Sequence, residues 1–279
     1  MKIAAHRSIF TSLIIGYAFL FAGCSSNPYA RTNKSYKKQV KEFARTLRQI
    51  PPTNPGETSL QSGDYWVGAT NLNMRKPNFV IIHHTAQKST EQTLKTFTTP
   101  RTQVSAHYVI GRDGKVYHML SDYLRAWHAG TGKWGNTSDL NSSSIGIELD
   151  NNGFEPFADA QVNSLLQVLT LLKKTHSIPA ANFIGHSDIA PGRKVDPNPT
   201  FPWKKLSENG FGLWYDEVLA DSIPENFNDQ EALRIIGYDT KNLEAAIKSF
   251  QIHFIQKDIT GILNDEERKI LFNLYRKYL

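Results

Sequence analysis

Cysteine is almost missing from this chain: its 279 residues contain one, Cys24, close to the amino terminus. That excludes a disulfide framework and a structural zinc site closed by thiolates. Also missing are a Gly-x-x-x-x-Gly-Lys phosphate loop, a Gly-x-Ser-x-Gly nucleophile elbow and a cysteine nucleophile, which removes the common nucleotide-hydrolysing and serine or cysteine hydrolase classes. No apolar run reaches the roughly 20 residues of a helical membrane span. The longest, Ile9–Phe21, follows Lys2 and Arg7 and reads as a secretory signal instead. A net charge of +6 and a pI near 9.2 raise the question of nucleic acid. The positive charge is concentrated in residues 25–50, however, and no aromatic nucleic-acid motif accompanies it, so no nucleic-acid partner is expected.

What the chain does carry is histidine at the ends of apolar strands. Phe79-Val80-Ile81-Ile82 reads as a buried strand that delivers His83 and His84. His186 opens a short irregular loop, Gly185 to Pro197, that also holds Lys194 and Asp196. Two histidines and a carboxylate from separate segments make a three-ligand set with one coordination position open, the arrangement of a catalytic rather than a structural zinc. Magnesium and calcium favour all-oxygen sites, whereas histidine suits zinc, copper, iron and nickel. Non-haem iron shares the two-histidine, one-carboxylate set, but zinc fits hydrolytic surroundings best. A third segment, Ser144 to Asp150, alternates so that Ile145, Ile147 and Leu149 share one face while Gly146, Glu148 and Asp150 share the other. A carboxylate in such a strand needs a cation, a hydrogen-bond network or an activated water beside it, and Glu148 is a candidate general base.

Ile81-Ile82-His83-His84-Thr85-Ala86, Ser105-Ala106-His107-Tyr108-Val109-Ile110, Ala126-Trp127-His128-Ala129-Gly130, Ser144-Ile145-Gly146-Ile147-Glu148-Leu149 and the His186–Pro197 loop occur in that order. Together they resemble the zinc-dependent N-acetylmuramoyl-L-alanine amidases of the amidase 2 family, over roughly residues 61–205. The resemblance implies Zn2+ held by His83, His186 and Asp196, with Glu148 as catalytic carboxylate and Lys194 stabilising transition-state charge. It implies hydrolysis of the amide between the lactyl group of N-acetylmuramic acid and the L-alanine of the stem peptide, in peptidoglycan or muropeptides. Trp127 and His128 are expected in the cleft wall near substrate, and His84 and His107 as packing or support. His118, His176 and His253 receive no role. The rival from another class is a noncatalytic peptidoglycan-recognition lipoprotein, and a stem-peptide zinc peptidase is a second rival.

Phe21-Ala22-Gly23-Cys24 resembles a lipobox, which implies cleavage after residue 23 and lipidation of Cys24. Ser25 after the cysteine points to the outer membrane, facing the periplasm. Residues 24–60 then form a basic tether in which Val40, Phe43, Leu47 and Ile50 recur at roughly helical spacing, suited to an anionic lipid surface or to a solvated spacer. The catalytic domain is expected over 61–220, with strands at 79–84, 105–110, 115–119, 144–149 and 182–186. Helices are expected from Ser89 to about Thr98 and over 160–175, giving a mixed α/β sheet flanked by helices. Residues 221–279 carry three helix patterns, 229–236, 240–256 and 265–278. They resemble a small all-α peptidoglycan-binding domain; the alternative is a docked extension that stabilises the enzyme.

Overall fold

The computed structural model describes residues 27–48 and 73–279. The expected signal segment, Cys24 and the proline-rich stretch at 51–56 lie outside them. The chain divides into two units, Met1–Gly68 and Ala69–Leu279. In the first, helix α1 (Ala30–Leu47) buries none of its side chains, and Val40, Phe43 and Leu47 are exposed. No helix among the described residues is long and apolar enough to cross a membrane.

The second unit is built on five strands: β1 (Phe79–His84), β2 (Tyr108–Ile110), β3 (Val116–His118), β4 (Ser144–Leu149) and β5 (Phe183–Gly185), in the order β3-β2-β4-β1-β5. All neighbours are parallel except β2 and β3, which the turn at Gly111–Lys115 joins as a hairpin. The sheet is therefore mixed, as expected, with shorter strands at 108–110 and 183–185 than the pattern suggested. Helices α2 (Thr90–Phe97), α3 (Leu140–Ser143) and α4 (Asp159–His176) connect them. Ser89 caps α2 by accepting the Gln92 N–H at 3.2 Å.

Strand alternation divides the core. Val80 and Ile82 of β1, with Ile145, Ile147 and Leu149 of β4, pack under Leu165, Leu169 and Leu172 of α4. Phe79 and Ile81 leave the other face of β1 and meet the carboxy-terminal helices. His83 continues the row of Phe79 and Ile81, which is how an apolar strand ends by presenting an imidazole.

Strand β5 does not run on into a loop. His186 starts a one-turn helix, α5 (His186–Ile189), because the Asp188 carboxylate accepts the Gly185 N–H at 2.7 Å and caps the turn. Helix α6 (Trp203–Glu208) follows. The last segment holds α7 (Asp229–Ile236), α8 (Leu243–Phe250) and α9 (Asp265–Tyr278), with Asn264 and Glu267 forming the expected capping box. The expected helix over 240–256 breaks: α8 ends at Phe250 and gives way to a single π-turn, Gln251–Ile255, stopped by Gln256 at φ 65°. These helices have no core of their own. Leu233, Ile236, Phe250 and Leu274 share one cluster with Phe79, Ile81, Ile184 and Ile189 of the sheet unit.

Candidate metal centre

The parallel register of β1 on β4 pairs His83 with Glu148, so the two side chains leave the same face of the sheet from adjacent strands. The α5 turn brings His186 to that edge, and the Ser187 N–H donates to the Asp196 carbonyl at 2.7 Å, folding the rest of the loop back beside it. His83 Nδ1, His186 Nδ1 and the Asp196 carboxylate consequently lie within 4.8 Å of one another, all buried. The two Nδ1 atoms are 2.9 Å apart, and Asp196 Oδ2 is 3.1 Å from His83 Nδ1 and 2.9 Å from His186 Nδ1.

This donor set fits a cation. His186 Nε2 faces the Ala129 carbonyl at 3.1 Å while its Nδ1 faces Asp196, so both ring nitrogens meet acceptors. A neutral imidazole can satisfy one of them as a donor; the other lone pair needs a positive partner. His83 stays neutral, because burial, and then the neighbouring His186, push it down to about 4. For Asp196 burial alone would raise the pKa, but the adjacent His186 and His83 outweigh it and hold the carboxyl well below its usual range. Two nitrogen ligands and one ionised oxygen suit zinc, with one position free for substrate or water.

His83 is oriented from behind. His83 Nε2 is 3.1 Å from His128 Nδ1, and His128 Nε2 is 3.2 Å from Ser144 Oγ, whose hydroxyl donates in turn to the Leu140 carbonyl. Read from that last acceptor backwards, each nitrogen has one role: His128 Nε2–H donates to Ser144, and His83 Nε2–H donates to His128. His83 Nδ1 then keeps its lone pair for a metal. His128 is thus largely buried behind His83, and it also lines the cleft, where the sequence suggested it. His107 accepts the Gly146 N–H on Nδ1 at 3.0 Å and packs edge-on against His128. His84 accepts the Asn198 N–H at 3.0 Å, a packing role as expected.

The three donors form the floor of a cleft of about 350 Å3, also lined by Glu148, Lys194, Trp127 and His128. Burial, followed by the nearby Asp196 charge, pushes the Glu148 carboxyl up to about 8 without a metal, and Lys194 counteracts this. Trp127 is 51% exposed at the rim. The residues that sequence reasoning left without partners are also placed: His176 and His118 both contact the Asp122 carboxylate, at 3.0 and 3.3 Å, and His253 meets Asp188.

The sequence profile of the family described as N-acetylmuramoyl-L-alanine amidase matches residues 73–199. The chain is 34% identical over 230 residues to N-acetylmuramoyl-L-alanine amidase AmiD of Escherichia coli K12, covering 71% of this chain and 82% of that protein. Among solved structures, AmpDh3 from Pseudomonas aeruginosa superposes with a TM-score of 0.68 at 30% identity, covering 78% of this chain and 99% of that one. The E. coli AmiD complex with the substrate anhydro-N-acetylmuramic acid-L-Ala-D-gamma-Glu-L-Lys gives a TM-score of 0.66 at 30% identity, covering 76% and 93%. The fold, the order of its motifs and these likenesses agree, and the chain belongs to the N-acetylmuramoyl-L-alanine amidase family.

Proposed function

We propose that this chain is a zinc amidase that cuts the bond between the lactyl group of N-acetylmuramic acid and L-alanine in peptidoglycan or its muropeptide fragments. The observation that carries this is the convergence of His83, His186 and Asp196 on the floor of the cleft that Glu148 and Lys194 line. Zinc held by those three residues supplies a Lewis acid that polarises the scissile carbonyl and acidifies water. Glu148 takes the proton of the attacking water as the new C–O bond forms and returns it to the departing alanine amine as the C–N bond breaks. A carboxyl that burial pushes upward is suited to carry that proton and then release it. Lys194 offers its ammonium to the developing oxyanion; a positioned donor of this kind is typically worth a factor of about a hundred to a thousand. Trp127 gives the rim an exposed aromatic face for a sugar or peptide.

The cell-envelope setting is part of the proposal. Residues 1–23 act as a lipoprotein signal, Cys24 carries the lipid, and 24–60 tether the enzyme to the outer membrane on its periplasmic side. The described part of that tether supports a surface role: Arg31, Lys34, Lys37, Lys38, Lys41 and Arg45 crowd one side of α1, while Val40, Phe43 and Leu47 lie on the other. Residues 61–220 are the catalytic domain and 221–279 a helical peptidoglycan-binding segment.

The test is to incubate the zinc-loaded chain lacking residues 1–24 with purified muropeptides and weigh the products. Intact stem peptide plus free disaccharide, abolished by chelation, is expected. Binding without cleavage would make the protein a recognition module, and cleavage inside the stem would make it a peptidase.

A further inference from the structure

Asp188 lies two residues after the ligand His186 and is fully buried. Its carboxylate collects three donors from three parts of the chain. Oδ2 accepts the Gly185 N–H at 2.7 Å and His253 Nδ1–H at 2.7 Å, and Oδ1 accepts the Tyr238 hydroxyl at 2.8 Å. The first donor belongs to the strand end that carries His186. The other two come from the carboxy-terminal helical segment: Tyr238 just past α7, and His253 in the π-turn after α8. Such a turn is a rare departure from α-geometry, frequent where a side chain must be aimed at a functional site.

Both donors are themselves held firmly. The His253 ring stacks on Trp203 at 3.9 Å, and the Tyr238 ring stands edge-on against Trp134 at 5.0 Å. Backbone fit adds to this. A Cβ on Gly185 would come within 2.9 Å of Pro197 and 3.2 Å of the Asp188 carboxylate, and one on Gly192 within 3.2 Å of Ala245 in α8. Helix α5 is four residues long, too short to hold its own geometry, so external partners must fix it.

We infer that Asp188 is a positioning residue through which Tyr238 and His253 of the carboxy-terminal helices set the place of the metal ligand His186. The helical segment is then part of the metal site's support as well as a neighbour of it. With a donor lost, the buried carboxylate must find water or move, and the Gly185–His186 turn it caps moves with it. The inference rests on the metal reading given above, and its test separates the two.

The experiment measures Zn2+ affinity by competition with a chromophoric chelator, alongside the melting temperature of the metal-free protein, on the full chain. The variants are Tyr238→Phe, His253→Leu, His253→Asn and Leu274→Ala. Tyr238→Phe removes only the hydroxyl, and His253→Leu removes the ring donor. Each is expected to weaken zinc binding about tenfold, the usual effect of losing a group behind a metal ligand. His253→Asn, whose amide nitrogen takes the place of Nδ1, is expected to recover most of that loss. Leu274→Ala opens the same helical core without removing any of the three donors to Asp188; it is expected to lower the melting temperature and leave the zinc affinity unchanged. Unaltered affinity in Tyr238→Phe, or an equal loss in Leu274→Ala, overturns the inference in favour of plain structural packing. If the unsubstituted chain binds no zinc, the metal reading itself falls and this inference with it.

Discussion

A Cβ added to Gly146 would lie 2.3 Å from Cγ of His128, so the imidazole occupies the space that any other residue at position 146 would fill. The glycine is a slot in β4 that admits His128 behind His83. Gly146→Ala is expected to displace the ring and cost roughly 1–3 kcal/mol of stability, as overpacking does. His128→Ala should weaken zinc binding about tenfold to a hundredfold by freeing the His83 tautomer, with a smaller effect on folding. Titration of zinc into both variants checks this; full zinc affinity in His128→Ala would show that His83 is oriented by other contacts.

The difference between what was legible in the sequence and what was not follows from this pair. His83, Glu148 and the α2 and α9 caps are local: an apolar alternation ends in a charged or titratable group, or a Ser or Asn precedes a Gln or Glu by three residues. The metal set added the family resemblance to this local pattern. The link of His128 to His83 spans 45 residues and that of His253 to Asp188 spans 65. Each joins residues whose own segments give no hint of the other, so only the closed fold reveals them. One signal was present: a glycine among β-branched residues in a strand marks close approach by another group. The cap on α5 was missed because its N-cap residue is Gly185, which has no polar side chain, and the work is done by Asp188 reaching back.

Removing the ligands and removing the base should give different failures. Asp196→Ala deletes one of three donors and is expected to abolish zinc binding and turnover together. Glu148→Gln keeps all three donors and should retain zinc while turnover falls about a hundredfold to ten-thousandfold, the usual range for a lost general base. Product release with muropeptides, measured beside metal content by atomic absorption, distinguishes them. Loss of zinc from Glu148→Gln would move Glu148 into the metal's coordination sphere.

Acid should destabilise the fold through His107. Burial, against a partly compensating hydrogen bond to the Leu124 carbonyl, pushes this imidazole down to about 4 from an ordinary value of 6.5. Between those values the unfolded chain binds a proton that the folded chain refuses, so stability is whole above pH 6.5 and is lost as pH falls toward 4. The full shift corresponds to at most about 3 kcal/mol. The structural reason is that Nδ1 must stay an acceptor for the Gly146 N–H. His107→Asn, which can offer an oxygen to that N–H and does not titrate, is expected to show a flatter loss. Denaturant midpoints at pH 7 and pH 4.5 for both proteins give the comparison; equal slopes would mean that His107 is protonated in the folded state without penalty.

Residues 61–220 expressed alone should not fold stably, although they contain all three proposed metal donors. Phe79, Ile81, Trp134, Leu140, Ile184 and Ile189 share one apolar cluster with Leu233, Ile236, Phe250 and Leu274. Burying a large apolar side chain contributes roughly 1.5–3 kcal/mol. Even half of that, lost over these six residues, consumes most of the about 5–15 kcal/mol by which a domain is stable. The truncated chain would also expose the underside of β1, the strand that delivers His83, as a contiguous apolar patch prone to association. Its expected behaviour is low soluble yield, no cooperative melting transition and rapid amide exchange in β1 and β5, where the full chain is protected. A separate binding module joined by a linker predicts the opposite: a truncated enzyme that melts cooperatively near the temperature of the full chain and binds zinc equally well. Hydrogen exchange through β1 therefore decides whether the carboxy-terminal helices are cargo or a wall of the catalytic core.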